Sequence, residues 1–265
     1  MALTTGTLSG SLPYVSFGTG PRPLVVLPGA SDPFAGPIEG LSAWALRYYY
    51  RRFTDSHTIY VVRRPRGMDD ATTIDSMATD CAVAIDDRFD EPVDLLGLSM
   101  GGCIAQLVAA EHHGLVDRVV LAVSGCRLGE RGTAIVDRWR GYAESNEWDV
   151  LYRESVALTY SGWRRFLYGA VGSIPGYSPA VPPIASDVRV TFDALCGFDA
   201  CDRIGSIDAP TLVIGGDEDP FFPTTVLRET AERTGARLFL YPGGGHGVTD
   251  ERKRSFESTV LDFMR

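Results

Sequence analysis

The chain is almost without lysine: Lys253 is the only one among 25 basic side chains in 265 residues. An arginine bias of this kind reflects a GC-rich genome rather than a physical need. Positive charge is also in short supply overall, with a formal net charge of -9. That balance excludes a nucleic-acid binder, whose phosphate contacts need a basic footprint, and disfavours an anionic membrane surface as partner. No stretch reaches the roughly 18 continuous apolar residues of a membrane-spanning helix. The opening "MALTTGTLSGSLPY" lacks a basic n-region and an apolar h-region, so no signal peptide is expected. Cysteine is sparse, and Cys81, Cys103, Cys126, Cys196 and Cys201 form no C-x-x-C pair. These five read as reduced thiols in a cytoplasmic protein. Internal repeats and low-complexity tails are absent too.

What is present is ordinary for a globular chain: 45% hydrophobic and 22% charged residues. A chain this long buries enough surface to need neither a disulfide nor a metal staple. Strand-like segments recur as "YVSFG", "PLVVLPGA", "HTIYVV", "PVDLLGLS" and "LVDRVVLAVSG". Between them lie helical patterns, one from Leu41 to Phe53, one that starts after Thr73 as N-cap, and one in "MGGCIAQLVAAEHH". Continuous apolar strands alternating with helices predict right-handed βαβ crossovers and a mostly parallel sheet covered on both faces.

The alternation stops at about Arg127 and resumes at about Ile204 with "PTLVIGG" and "ARLFLYPGG". The segment between is mainly helical, rich in aromatics, and broken midway by the prolines of "SIPGYSPAVPP". The expected organisation is a sheet core of residues 1–126 and 204–265 with a helical insertion of residues 127–203. The last helix carries Phe256, Val260 and Phe263 on one face.

The stretch "LLGLSMGGCIAQ" sets Ser99 between Gly97 and Gly101, after an apolar strand and before a helix. In G-x-S-x-G the chain turns sharply, and the serine hydroxyl stands exposed above the carboxyl edge of the sheet. The glycines permit the close approach of strand and helix. The N–H of Met100 sits at a helix N-terminus and points at an anion. A plain structural turn is the alternative reading. Cys103, four residues on, reads as a small buried hydrophobe rather than a nucleophile.

A serine hydroxyl needs a base. His57 opens a strand, while His112 and His113 close the helix after Ser99, roughly 20 Å along its axis. His246 lies in the loop "YPGGGHGVTD" after the last strand, where its neighbours in sequence offer nothing to pack against. The base in turn needs an orienting acid, and "LVIGGDEDPFFP" supplies Asp217, Glu218 and Asp219 at a strand end.

The order Ser99, acid, His246 is that of the α/β-hydrolases. From "PLVVLPGASD" to "GGGHG" the chain resembles an α/β-hydrolase with a helical cap, which implies that fold and makes residues 127–203 the cap. The resemblance implies Asp219 as the acid, through the match of Gly216, Asp219 and Pro223 to G-x-x-D-x-x-x-P. It sets "LPGASD" at the family's HG oxyanion loop, with Pro28 where the family has His. The backbone N–H groups of Ala30 and Met100 would then form the oxyanion hole. Arg66 and Gly67 match the family's R-G turn. Arg63, Arg64 and Arg66 read as solvated or paired with local aspartates, a grip on a substrate carboxylate being the alternative. Asp32 reads as a turn residue.

The implied activity is cleavage of a small or medium ester, lactone or thioester through an acyl-enzyme. The small-molecule substrate is the one partner expected, with no metal and no organic cofactor. The same triad also serves carbon–carbon bond hydrolysis, cyclisation and perhydrolysis, and a ligand-binding protein without turnover is a further alternative. The family's haloalkane dehalogenases would need Asp at the position of Ser99.

Overall fold

The computed structural model describes residues 3–171 and 181–265. Eight strands form one sheet: β1 (Thr4–Leu8), β2 (Leu12–Gly18), β3 (Arg22–Leu27), β4 (His57–Val62), β5 (Val93–Leu98), β6 (Val116–Ala122), β7 (Thr211–Gly216) and β8 (Arg237–Tyr241). Their order across the sheet is β1-β2-β4-β3-β5-β6-β7-β8, with the β1–β2 and β2–β4 pairings antiparallel and the others parallel. The central strands are continuous apolar runs, and all six residues of β7 are buried. Strands covered on both faces need no polar alternation. The predicted α/β sheet is the one found. The outer strand β1 has no signature in the sequence, because "TTGTL" is largely exposed and carries no apolar signal.

The crossovers are helices α1 (Gly40–Tyr49), α2 (Ile74–Arg88), α3 (Met100–Glu111) and, past the insertion, α8 (Thr224–Thr234). Thr73 caps α2 as predicted, its hydroxyl accepting the N–H of Ser76 at 3.2 Å. The helix expected over Leu41–Phe53 instead ends at Tyr49 and tightens into a 3-10 turn at Arg51–Phe53. The tighter turn brings both Tyr50 and Phe53 into the core. Helices α9 (Val248–Glu251) and α10 (Lys253–Phe263) close the chain, and α10 buries Phe256 and Val260 on the face predicted for it.

Among the described residues four α-helices lie between β6 and β7: α4 (Glu130–Glu144), α5 (Trp148–Thr159), α6 (Gly162–Val171) and α7 (Ala185–Cys196). Helix α4 packs on α7 and α5, and α5 on α6. The predicted break at "SIPGYSPAVPP" falls largely on residues 172–180, outside the described residues. The two roots of this segment meet. The Ala200 N–H donates to Cys126 O at 2.8 Å, and Arg127 pairs with Asp199. Here one expectation is corrected. Cys126 and Cys201 form a disulfide, so the cysteines are not all free thiols. The pair lies 75 residues apart in sequence, but leaving and re-entering one sheet edge brings the Cα atoms to 4.9 Å. Cys81, Cys103 and Cys196 are free. Among the described residues no helix is long and apolar enough to cross a membrane.

Strand order places the site. The chain steps from β3 to β4 on one side and returns to β5 on the other. Loops leaving β3 and β5 therefore diverge, opening a crevice at the carboxyl edge. Register pairs Leu27 of β3 with Gly97 of β5, which sets residues 28–31 beside Ser99.

Candidate active site

Ser99 joins β5 to α3 with φ 53° and ψ -119°, a conformation rare outside glycine. Two neighbouring glycines make this turn possible. A Cβ on Gly97 would lie 2.4 Å from Gly101 O, and one on Gly101 would lie 2.0 Å from Leu27 O. Strand and helix thus pack backbone to backbone. Met100 is the first residue of α3, so its N–H belongs to the group that a helix leaves without internal partners.

His246 follows β8 in the glycine-rich loop, and its Nε2 is 3.0 Å from Ser99 Oγ. Its Nδ1 is 2.7 Å from Asp219 Oδ2. The other oxygen, Oδ1, accepts the N–H groups of Phe221 at 2.8 Å and Phe222 at 3.1 Å. Asp219 is buried, and both carboxylate oxygens are engaged. The rings of Phe221 and Phe222 cover the imidazole, at 4.6 and 6.2 Å between centroids. Asp217, by contrast, is exposed and accepts the Gly243 N–H at 2.7 Å. The other histidines lie apart from this group. His57 is buried with Nε2 3.0 Å from Asp94 Oδ2, and His113 pairs with Asp208 at 3.7 Å. Burial pushes the Cys103 thiol up to about 12, which suits a packing role.

Three arginines hold the loop that faces Ser99. Arg63 Nε pairs with Asp32 Oδ1, and its Nη1 and Nη2 donate to the carbonyls of Gly36, Asp32 and Ala35. Arg64 donates to the carbonyls of Pro28 at 3.2 Å and Gly29 at 2.8 Å. Arg66 donates to the carbonyls of Asp32 and Ala35, both at 3.0 Å. Arg63 and Arg64 are buried, which corrects the expectation of solvated side chains while keeping the pairing with an aspartate. Asp32 does open a turn, but it is buried and forms the anionic centre of this cluster. Burial pulls the Arg64 guanidinium below its ordinary range, against the pull of Asp32. Gly67 of the R-G turn has φ +71°, and Asp187 of α7 accepts the N–H groups of Gly67 and Met68 at 3.1 and 2.8 Å. None of this network shows in sequence, where three arginines and one Asp–Pro pair look like surface.

The inserted helices meet the site from above. The Gly129 N–H donates to Phe221 O at 2.9 Å, and a Cβ on Gly132 would lie 2.6 Å from that same oxygen. At the α5–α6 corner Thr159 O accepts the N–H of Gly247, next to His246, at 2.8 Å. The Tyr160 hydroxyl donates to Asp250 Oδ2 at 3.1 Å, and Tyr49 from α1 donates to the other oxygen. Burial and the Asp250 carboxylate hold the Tyr160 phenol well above its usual range. Ser99 and His246 open into a cavity of about 380 Å³ beneath α4, α5, α6 and α7. Ala30 lines it beside Gly29 and Ser31. Among the described residues one group has metal-ligand spacing, Cys126, Cys201 and Glu229, and its two sulfurs are joined to each other.

Comparison with known proteins gives the geometry a lineage. A model described as "Alpha/beta hydrolase family" matches residues 24–257. A protein of Variovorax paradoxus (strain S110) named "Putative carbamate hydrolase RutD" is 25% identical over 212 residues, 76% of this chain and 77% of that one. A pimeloyl-[acyl-carrier protein] methyl ester esterase of Neisseria meningitidis (strain FAM18) is 27% identical over 195 residues, 69% of this chain and 73% of that one. The crystal structure of the enol-lactonase from Burkholderia xenovorans LB400 superposes with a TM-score of 0.78 at 20% identity, covering 98% of this chain and 99% of that one. At that identity the likeness speaks for the fold alone.

Proposed function

The chain belongs to the alpha/beta hydrolase family, and from that premise we propose a serine hydrolase that cleaves a small or medium ester, lactone or thioester through an acyl-enzyme. The observation that carries this reading is the unbroken run of hydrogen bonds from Ser99 Oγ through His246 to Asp219, at 3.0 and 2.7 Å. Ser99 attacks the carbonyl while His246 Nε2 takes its proton. Asp219 keeps the Nδ1–H tautomer in place and stabilises the imidazolium. The N–H groups of Ala30 and Met100 receive the tetrahedral oxyanion, each donor lowering the barrier by roughly 3 kcal/mol. His246 then gives its proton to the leaving oxygen or sulfur, and water repeats the sequence to release the acid. Residues 127–203 act as a cap that shapes the acceptance of substrate. The relatives named as hydrolase and esterase support cleavage of a carbonyl substrate in this family setting.

The test is turnover of 4-nitrophenyl esters by wild type and Ser99→Ala. The variant is expected to lose at least about a thousandfold in kcat while keeping its fold, since only binding and the oxyanion donors remain. Labelling by a fluorophosphonate should map to Ser99. Near wild-type turnover by a folded Ser99→Ala protein removes the assignment.

A further inference from the structure

The cavity is large enough to enclose a medium-sized organic group, and its walls specify what kind. Val136 and Trp139 of α4, Leu151 and Val156 of α5, and Phe192 and Leu195 of α7 supply the apolar surface. Three of the lining hydroxyls are turned to the protein. Ser155 donates to Tyr152 O at 2.8 Å, Tyr152 to Tyr168 O at 2.9 Å, and Tyr160 to Asp250. Among the described residues no Arg, Lys, Asp or Glu lines the cavity. Residues 172–180 contain no charged residue in their sequence either. The cations that bond to the Ser99-facing loop are already engaged: Arg63, Arg64 and Arg66 bond to Asp32 and to the carbonyls of residues 28–36.

Resting on the hydrolase reading above, we infer that the substrate group held in this cavity is uncharged and apolar, and that substrates carrying a carboxylate on that group are rejected. A carboxylate there would leave water without a counterion to replace its hydration. The three arginines cannot be redirected cheaply, because the buried Asp32 carboxylate and the loop carbonyls would lose their partners.

Two matched pairs of esters test this, since the cavity receives one side of the ester. On the acyl side the pair is 4-nitrophenyl hexanoate and the mono-4-nitrophenyl ester of adipic acid; on the alcohol side, hexyl acetate and 6-acetoxyhexanoate. Wild-type kcat/KM, corrected for spontaneous hydrolysis, is expected to fall at least about tenfold from neutral to charged in one pair. Capping the free carboxylate as its methyl ester should restore most of the loss. Calorimetric binding of the same compounds to Ser99→Ala reads the preference without turnover, and the same factor is expected there. A charged compound within tenfold of its neutral partner in both pairs, by binding, overturns the inference. Neutral compounds that bind preferentially but are never hydrolysed by wild type would sustain it and sink the catalytic reading instead.

Discussion

At the scale of single residues the acid is the sharpest question, because Asp217 and Asp219 lie two positions apart. Asp219 is buried against His246, whereas Asp217 is exposed and holds a loop N–H. Asp219→Asn is expected to cost at least about a thousandfold in kcat by presenting the imidazole with the wrong tautomer. Asp217→Asn should stay within about tenfold. Kinetics on both variants at matched stability check this, and a larger loss at Asp217 reverses the assignment. Arg64 offers a second residue-level test. A trans peptide sets its C=O and N–H on opposite sides. By holding Gly29 O, Arg64 therefore aims the Ala30 N–H the other way. Arg64→Met is expected to lower kcat by about ten- to a hundredfold with KM within about threefold, a part of what one oxyanion donor contributes. Arg64→Lys should not restore it, since an ammonium cannot reproduce the planar fork. A raised KM with intact kcat would mean that Arg64 serves binding instead.

Among the elements, the roots of the inserted helices are the informative place. The Cys126–Cys201 bond closes a span of 75 residues at the point where the chain leaves and rejoins the sheet. In the chain-entropy account a loop of this length contributes about 4 kcal/mol by restricting the unfolded state. Replacing both cysteines by Ala is expected to lower stability by about 2–4 kcal/mol in urea unfolding. Activity toward 4-nitrophenyl acetate should stay within about threefold, because the bond touches none of Ser99, His246 and Asp219. An unchanged unfolding midpoint would show that the pair does not bridge in solution. A second tie, from the α5–α6 corner to Gly247 and Asp250, holds these helices against the loop that carries His246.

Over the whole molecule, loops at one sheet edge carry Ser99, Asp219 and His246, and the inserted helices line the cavity into which Ser99 and His246 open. Chemistry and selectivity are expected to separate accordingly. Val156 lines the cavity from α5 and lies away from Ser99 in the chain. Val156→Phe reduces the space for a long group while leaving the serine untouched. Its kcat/KM for 4-nitrophenyl octanoate should fall tens-fold relative to acetate, the range expected when an apolar pocket discriminates by about 1–3 kcal/mol. Activity on acetate should remain within a few-fold. An unchanged ranking across acetate, butanoate, hexanoate and octanoate would mean that α5 does not select substrate.

Sequence alone determined the parts of this protein that local rules govern. Buried parallel strands announce themselves as continuous apolar runs, so seven of the eight strands could be read directly, and the glycines around Ser99 mark a turn that side chains would block. His246 stands out because glycines leave it nothing to pack on. Tertiary structure decided whatever depends on residues distant in the chain. Asp32, Arg63 and Arg64 look like surface until β3 and β4 pair and bury them under a loop. Cys126 and Cys201 look unrelated until the insertion returns to the edge it left. That no Arg, Lys, Asp or Glu among the described residues lines the cavity is likewise a product of packing: it requires knowing which side chains face inward and which cations are already engaged, and neither follows from order along the chain.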